Sequence, residues 1–88
     1  MIQLNRVYYT KKPNIYFIPL QYNPSNNSII NGLNFRGLLT HQEYNYWHIV
    51  VFNTYFKQIS ENIPEQVTAK LNDPFLLLDF HKNFRSII

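Results

Sequence analysis

Three histidines, His41, His48 and His81, are the first side chains to weigh for chemistry, and their scatter along the chain disfavours a metal site. The chain has no cysteine, and no close carboxylate cluster joins the histidines, so structural or interface roles are expected for them. Glu43, Glu61, Glu65, Asp73 and Asp79 supply carboxylates, but no nucleophile, phosphate-binding loop or metal-ligand spacing accompanies them. Neither catalysis nor a cofactor is therefore expected. What remains is a large stock of aromatic faces, seven Tyr, seven Phe and one Trp, interleaved with eight Lys and Arg. The formal net charge of +3 favours anionic partners only weakly, so it permits nucleic acid without demanding it. Scattered Lys and Arg are, by default, a solvated face.

These residues must be positioned by a small frame. Eighty-eight residues suffice for one domain, 1–88, with one small core, and association of subunits would add to its stability. A charged fraction of 15% beside 17% aromatics excludes a disordered tail or a solvated charged helix. The N-terminus shows no basic segment leading into an apolar run and a small-residue cleavage site, and no apolar stretch is long enough to span a membrane. The protein is expected to act where it is made, in the cytoplasm or nucleoid, an organelle or a phage-infected cell, and not to be secreted or membrane-bound. Abundant Asn, Ile, Tyr and Phe with little Ala and Gly fit an AT-rich coding genome.

The chain arranges itself around Tyr46–Phe52, which holds the single Trp, a β-branched run and an aromatic at each end. That composition predicts a buried central strand. Asn53 or Thr54 then caps a short helix carrying Tyr55, Phe56, Ile59 and Ile63. A rival reading places a helix over Tyr44–Phe52, because Thr40 and Glu43 fit a capping box; the β-branched run favours the strand.

Upstream, residues 1–13 form an N-terminal strand or arm around Ile2, Leu4, Val7 and Tyr8, ended by a turn at Lys11, Lys12 and Pro13. A second strand starts near Asn14 and is bent or cut short at Pro19, and Gln21–Ser28 reads as an exposed loop. Ile29–Thr40 returns to strand, with Gly32 and Gly37 as points of curvature, and His41–Asn45 is expected to be a hairpin loop. Downstream, Asn62 and Glu65 cap a further turn holding Val67, Ala69 and Leu71. Phe75–Phe80 reads as a last strand that runs into a basic end at His81–Arg85. The sum is mainly β with one helix, in the order strand, strand, strand, helix, strand. That is the layout of an OB-fold-like small β-barrel.

Particular residues strengthen that layout. Trp47, His48, Ile49, Val50, Val51 and Phe52 resemble the third strand of the bacterial and mitochondrial single-stranded DNA-binding protein family, which includes primosomal and plastid relatives. Asn53 stands where the family usually has Gly, one residue earlier. Leu20, Gln21, Tyr22, Asn23 and Pro24 are similar to the end of the family's first strand, and Asn31–Phe35 falls where its second strand begins. The resemblance covers roughly Asn14 to Arg85. In the last strand Asp79 replaces a family glycine, and the connection from Ile63 to Pro74 is longer.

The resemblance implies non-catalytic binding of single-stranded DNA, with RNA as a possible substrate, in replication or repair. Such binding needs aromatic faces for base stacking and a basic groove for phosphates. Trp47 and Phe52 fall at positions resembling the family's stacking residues, with Tyr44 and Phe84 beside them. Arg36, Lys57, Lys82 and Arg85 would neutralise phosphates, joined by Arg6, Lys11 and Lys12 on a basic arm. Relatives assemble as oligomers, so a dimer or tetramer is implied, with His48 near the subunit interface.

One conflict stands within this reading. Strand alternation places Trp47, Ile49 and Val51 on one face and His48, Val50 and Phe52 on the other, so Trp47 and Phe52 share a groove only if a bulge intervenes near Asn53. Trp47 itself is either core or stacking platform. A second function class also fits the aromatic content: a structural or inhibitory subunit that binds another protein, in an organellar assembly or as a phage factor.

Overall fold

In a computed structural model, which describes residues 2–37, 39–44 and 47–73, the chain forms one antiparallel sheet of six strands and two helices. The elements in order are β1 (Tyr8–Thr10), β2 (Ile15–Asn23), β3 (Ser28–Arg36), β4 (Leu39–Glu43), β5 (Trp47–His48), α1 (Ile49–Tyr55), β6 (Lys57–Gln58) and α2 (Glu65–Leu71). The sheet order is β4, β3, β2, β1, β6, and β5 also pairs with β3. Among the described residues the sheet does not close into a barrel. The expected strand at Phe75–Phe80 lies outside them.

The long β2–β3 hairpin is the spine. Its turn, Pro24–Asn27, is built from residues that bond their own backbone: Asn23 Oδ1 accepts from the Ser25 N–H at 3.0 Å, and Asn27 adopts a left-handed φ of 53°. The chain expected to loop over Gln21–Ser28 is therefore half strand, and only the four residues 24–27 turn. Pro19 does distort β2. The register with β3 shifts between Pro19 and Gln21 and again between Gln21 and Tyr22, which is how a strand absorbs a residue without a backbone N–H.

The apolar run Ile15–Leu20 of β2 makes sense because both sheet faces are covered. On one face Val7, Ile18, Leu20, Leu33 and Phe35 pack beneath Val67 of α2, with Ile59, Ile63 and Leu71 at the margin. On the other, Tyr8, Ile15, Phe17 and Ile29 pack against Phe52 of α1 and Phe56 just beyond it, with Ile2, Trp47 and Ile49 alongside. Gly32 lies opposite Pro19 on the second face. A Cβ there would sit 2.1 Å from Phe17 Cζ, so this glycine makes room for the ring. Gly37 instead turns the β3–β4 hairpin with φ +65°.

The central strand expected over Tyr46–Phe52 is corrected: strand ends at His48, and Ile49–Tyr55 is helical. The reason is packing. A strand would split the apolar side chains between two faces, whereas helical spacing collects Ile49, Phe52 and Phe56 on one side, against Phe17. His48 caps the helix, its Nδ1 accepting from the Val50 N–H at 3.3 Å. The rival capping box is also not formed, since Thr40 and Glu43 lie in β4, where His41–Glu43 is strand rather than hairpin loop.

The helix expected to run through Ile59 and Ile63 stops at Tyr55. Lys57–Gln58 becomes an edge strand on β1, with Tyr8 opposite Gln58 and Tyr9 opposite Lys57. That edge strand carries the chain from one sheet face to the other, so Phe56 and Ile59 enter opposite cores. The turn expected at Val67–Leu71 is α2, giving two helices where one was expected. Its cap position is Pro64, and no side chain caps it; Asn62 takes φ 56° two residues earlier.

Candidate nucleic-acid interface

Four cations gather at one end of the sheet. Lys11 and Lys12 occupy the tight β1–β2 turn rather than a loose arm, Arg36 ends β3 opposite Ile15, and Lys57 stands on β6 opposite Tyr9. All four are exposed, and among the described residues none pairs with a carboxylate. Short strands and a two-residue crossover place them together although they are distant in sequence.

Two concavities run between these cations and share Thr10, Lys12 and Tyr55 as a common wall. The first, about 340 Å³, is bordered by Lys12, Arg36, Trp47, Tyr55 and Phe56, with Asn34 and Glu43 on its β3–β4 side. The second, about 490 Å³, is bordered by Tyr9, Lys11, Lys12, Tyr55 and Lys57. Tyr9 is braced by Tyr16, with ring centroids 4.6 Å apart, and its hydroxyl donates to Asn14 Oδ1 at 2.8 Å. Tyr55 is 60% exposed on the last turn of α1. One exposed and two partly exposed rings, set among cations that have no carboxylate partner among the described residues, can hold stacked bases and their phosphates at once along a shallow groove.

Glu43 is the carboxylate bordering the first concavity. Its Oε1 accepts from Asn34 Nδ2 at 3.0 Å and lies 3.0 Å from His41 Nε2. The Asn34 interaction assigns that amide's orientation, because the opposite one would set two acceptors face to face.

Of the residues singled out from sequence, Trp47, Arg36, Lys57, Lys11 and Lys12 come to this end of the sheet. Trp47 is partly buried and meets Phe52 and Phe56 edge-on, with centroids 6.1 and 5.8 Å away, while lining the first concavity. It is thus core on one side and groove wall on the other. Phe52 does not share the groove: it is 0% exposed, and its ring is enclosed by Tyr8, Phe17, Trp47 and Phe56. The bulge invoked to bring it beside Trp47 is not needed, because the chain is helical there. Tyr44 is exposed beyond β4 but does not border either concavity. His48 is exposed and acts as the α1 cap. Phe84, Lys82 and Arg85 lie outside the described residues.

Sequence reading missed Tyr9, Tyr55 and Glu43 as groove residues. Tyr55 was hidden by its assignment to an apolar helical stripe, and Glu43 by its assignment to a loop. Comparison with known protein families, with curated proteins and with solved structures finds no match for this chain. Among the described residues, no group of His, Asp or Glu could hold a metal ion, and no helix is long and apolar enough to cross a membrane.

Proposed function

We propose that this protein binds single-stranded nucleic acid, DNA in the first instance, without catalysis. The observation that carries the reading is the pair of adjoining concavities in which Trp47, Tyr55 and Tyr9 alternate with Lys11, Lys12, Arg36 and Lys57. Bases stack on the rings, each contributing about 1–3 kcal/mol, and the cations neutralise phosphates. The substrate class is the transient single strand of replication or repair. In the same proposal the sheet is a variant of the oligonucleotide-binding type, in which strong curvature presents a concave basic face; the two register shifts in β2 support that curvature.

The chain acts as a homo-oligomer in this proposal. Val50 and Val51 are 64% and 46% exposed on α1, next to His48, and a subunit contact there would cover them. The test is a titration with a thymidine 30-mer at two salt concentrations, following emission of the single Trp. Quenching is expected, with log K falling against log salt at a slope near −3, from about −0.7 for each of four neutralised phosphates. Blue emission indifferent to the oligomer, with no gel shift, would overturn the reading.

A second reading, a subunit that docks on another protein, is favoured by one observation: Leu39, Tyr44, Val50, Val51 and Tyr55 are all strongly exposed for apolar or aromatic residues. Native purification in a fixed complex free of nucleic acid would support it.

A further inference from the structure

From the first concavity we infer a base-reading pocket that prefers guanine, an inference that rests on the single-strand reading above. The groove as a whole attracts anions, yet its β3–β4 wall presents a carboxylate. Among the described residues Glu43 has no Lys or Arg partner, so its charge is not spent on Lys12 or Arg36, which border the same cavity. It is instead held in place from the protein side. Asn34, buried in β3, donates Nδ2 to Glu43 Oε1, and His41 Nε2 reaches the same oxygen from the neighbouring position on that strand face. Only one of the two carboxylate oxygens is engaged in these contacts. A carboxylate is purely an acceptor, so a pinned, partly exposed one selects for N–H donors.

The cavity's 340 Å³ lies at the small end of ligand sites, which run from about 300 to 1,000 Å³, a size suited to one base. An unpaired base exposes its whole pairing edge. Guanine presents two adjacent donors there, N1–H and the N2 amino group. Adenine and cytosine each place a ring acceptor beside their amino group, which faces the Glu43 charge unfavourably. Thymine has one N–H between two carbonyls. Trp47 and Tyr55 border the space in which the ring stacks, Lys12 and Arg36 supply donors for guanine O6, and the strand's phosphates continue past Lys11 and Lys57 in the second concavity. The outcome is a sequence-tolerant binder with one position that reads a base.

The test compares a nine-nucleotide thymidine oligomer with the same oligomer carrying one central deoxyguanosine, deoxyinosine, deoxyadenosine or deoxycytidine, by fluorescence anisotropy at fixed salt. With both guanine donors directed at the carboxylate oxygen left free, the single guanine should tighten binding roughly fivefold, the low end of what a base-edge contact adds. Inosine, which lacks the N2 amino group, should lose most of that gain. Glu43→Gln should bind the thymidine oligomer more tightly, since a negative charge leaves the basic face, and should lose the guanine increment; retained thymidine binding also reports that the variant is folded. Thymidine binding with no guanine increment, an increment larger for adenine or cytosine, or an increment that survives Glu43→Gln overturns the guanine pocket and leaves the single-strand reading intact. Failure of every oligomer to bind overturns both.

Discussion

Phe52 and Phe56 stack face to face, their ring centroids 4.5 Å apart and their planes 4° from parallel, and Trp47 meets both edge-on. Phe52 lies within α1 and Phe56 caps it, so one stacked pair fixes both the helix on the sheet and the point where the chain leaves it for β6. Trp47 borders the groove from the same cluster. Core and candidate site therefore share a wall.

Removing the buried half of that pair should be severe. Phe52 is 0% exposed, and truncation of a buried Phe costs about 3–5 kcal/mol. A small domain has only about 5–15 kcal/mol in total. Phe52→Ala should lower the urea midpoint sharply and shift Trp47 emission to the red even without any ligand.

Gly32 should tolerate no side chain. The 2.1 Å approach to Phe17 Cζ cannot be relieved by a rotamer change, because Phe17 is buried and backed by Phe52 at 5.6 Å and Phe56 at 6.0 Å. Gly32→Ala should cost about 1–3 kcal/mol or more in thermal unfolding, despite the small change in volume.

Tyr55 offers the opposite case. Its exposure means that Tyr55→Ala should leave the melting temperature unchanged or slightly raised, since Ala is the better helix former. Binding of a thymidine oligomer should weaken by about 1–3 kcal/mol. Loss of stability without loss of affinity would remove Tyr55 from the site.

Lys12 stands where the two concavities meet. Lys12→Ala should weaken binding of a thymidine oligomer and reduce the slope of log K against log salt by about 0.7, the signature of one lost phosphate contact. Titration over a range of salt concentrations reads this directly.

The exposed valines test the assembly. Replacing Val50 and Val51 together by Lys should convert an oligomer to a monomer in sedimentation velocity while far-ultraviolet circular dichroism is retained, because neither side chain is part of the core. An unchanged sedimentation coefficient would remove Val50 and Val51 from any subunit contact.

Several features of this protein are local and were readable in the residues themselves. Lys11–Pro13 makes a turn because proline ends a ladder, and Pro19 distorts its strand for want of an N–H. The β-rich character follows in the same way from aromatic and β-branched runs. What only the tertiary structure decided is the fate of Ile49–Phe52. β-Branched propensity amounts to a few tenths of a kcal/mol per residue, whereas helical spacing buries Phe52 and Phe56 against Phe17, a larger gain that depends on a ring far away in the chain. The groove is tertiary for a related reason. Charges do not mark their neighbours in sequence, and Lys12, Arg36 and Lys57 meet only because β1 lies between β2 and β6 and the β2–β3 hairpin returns Arg36 to the end where Lys12 turns.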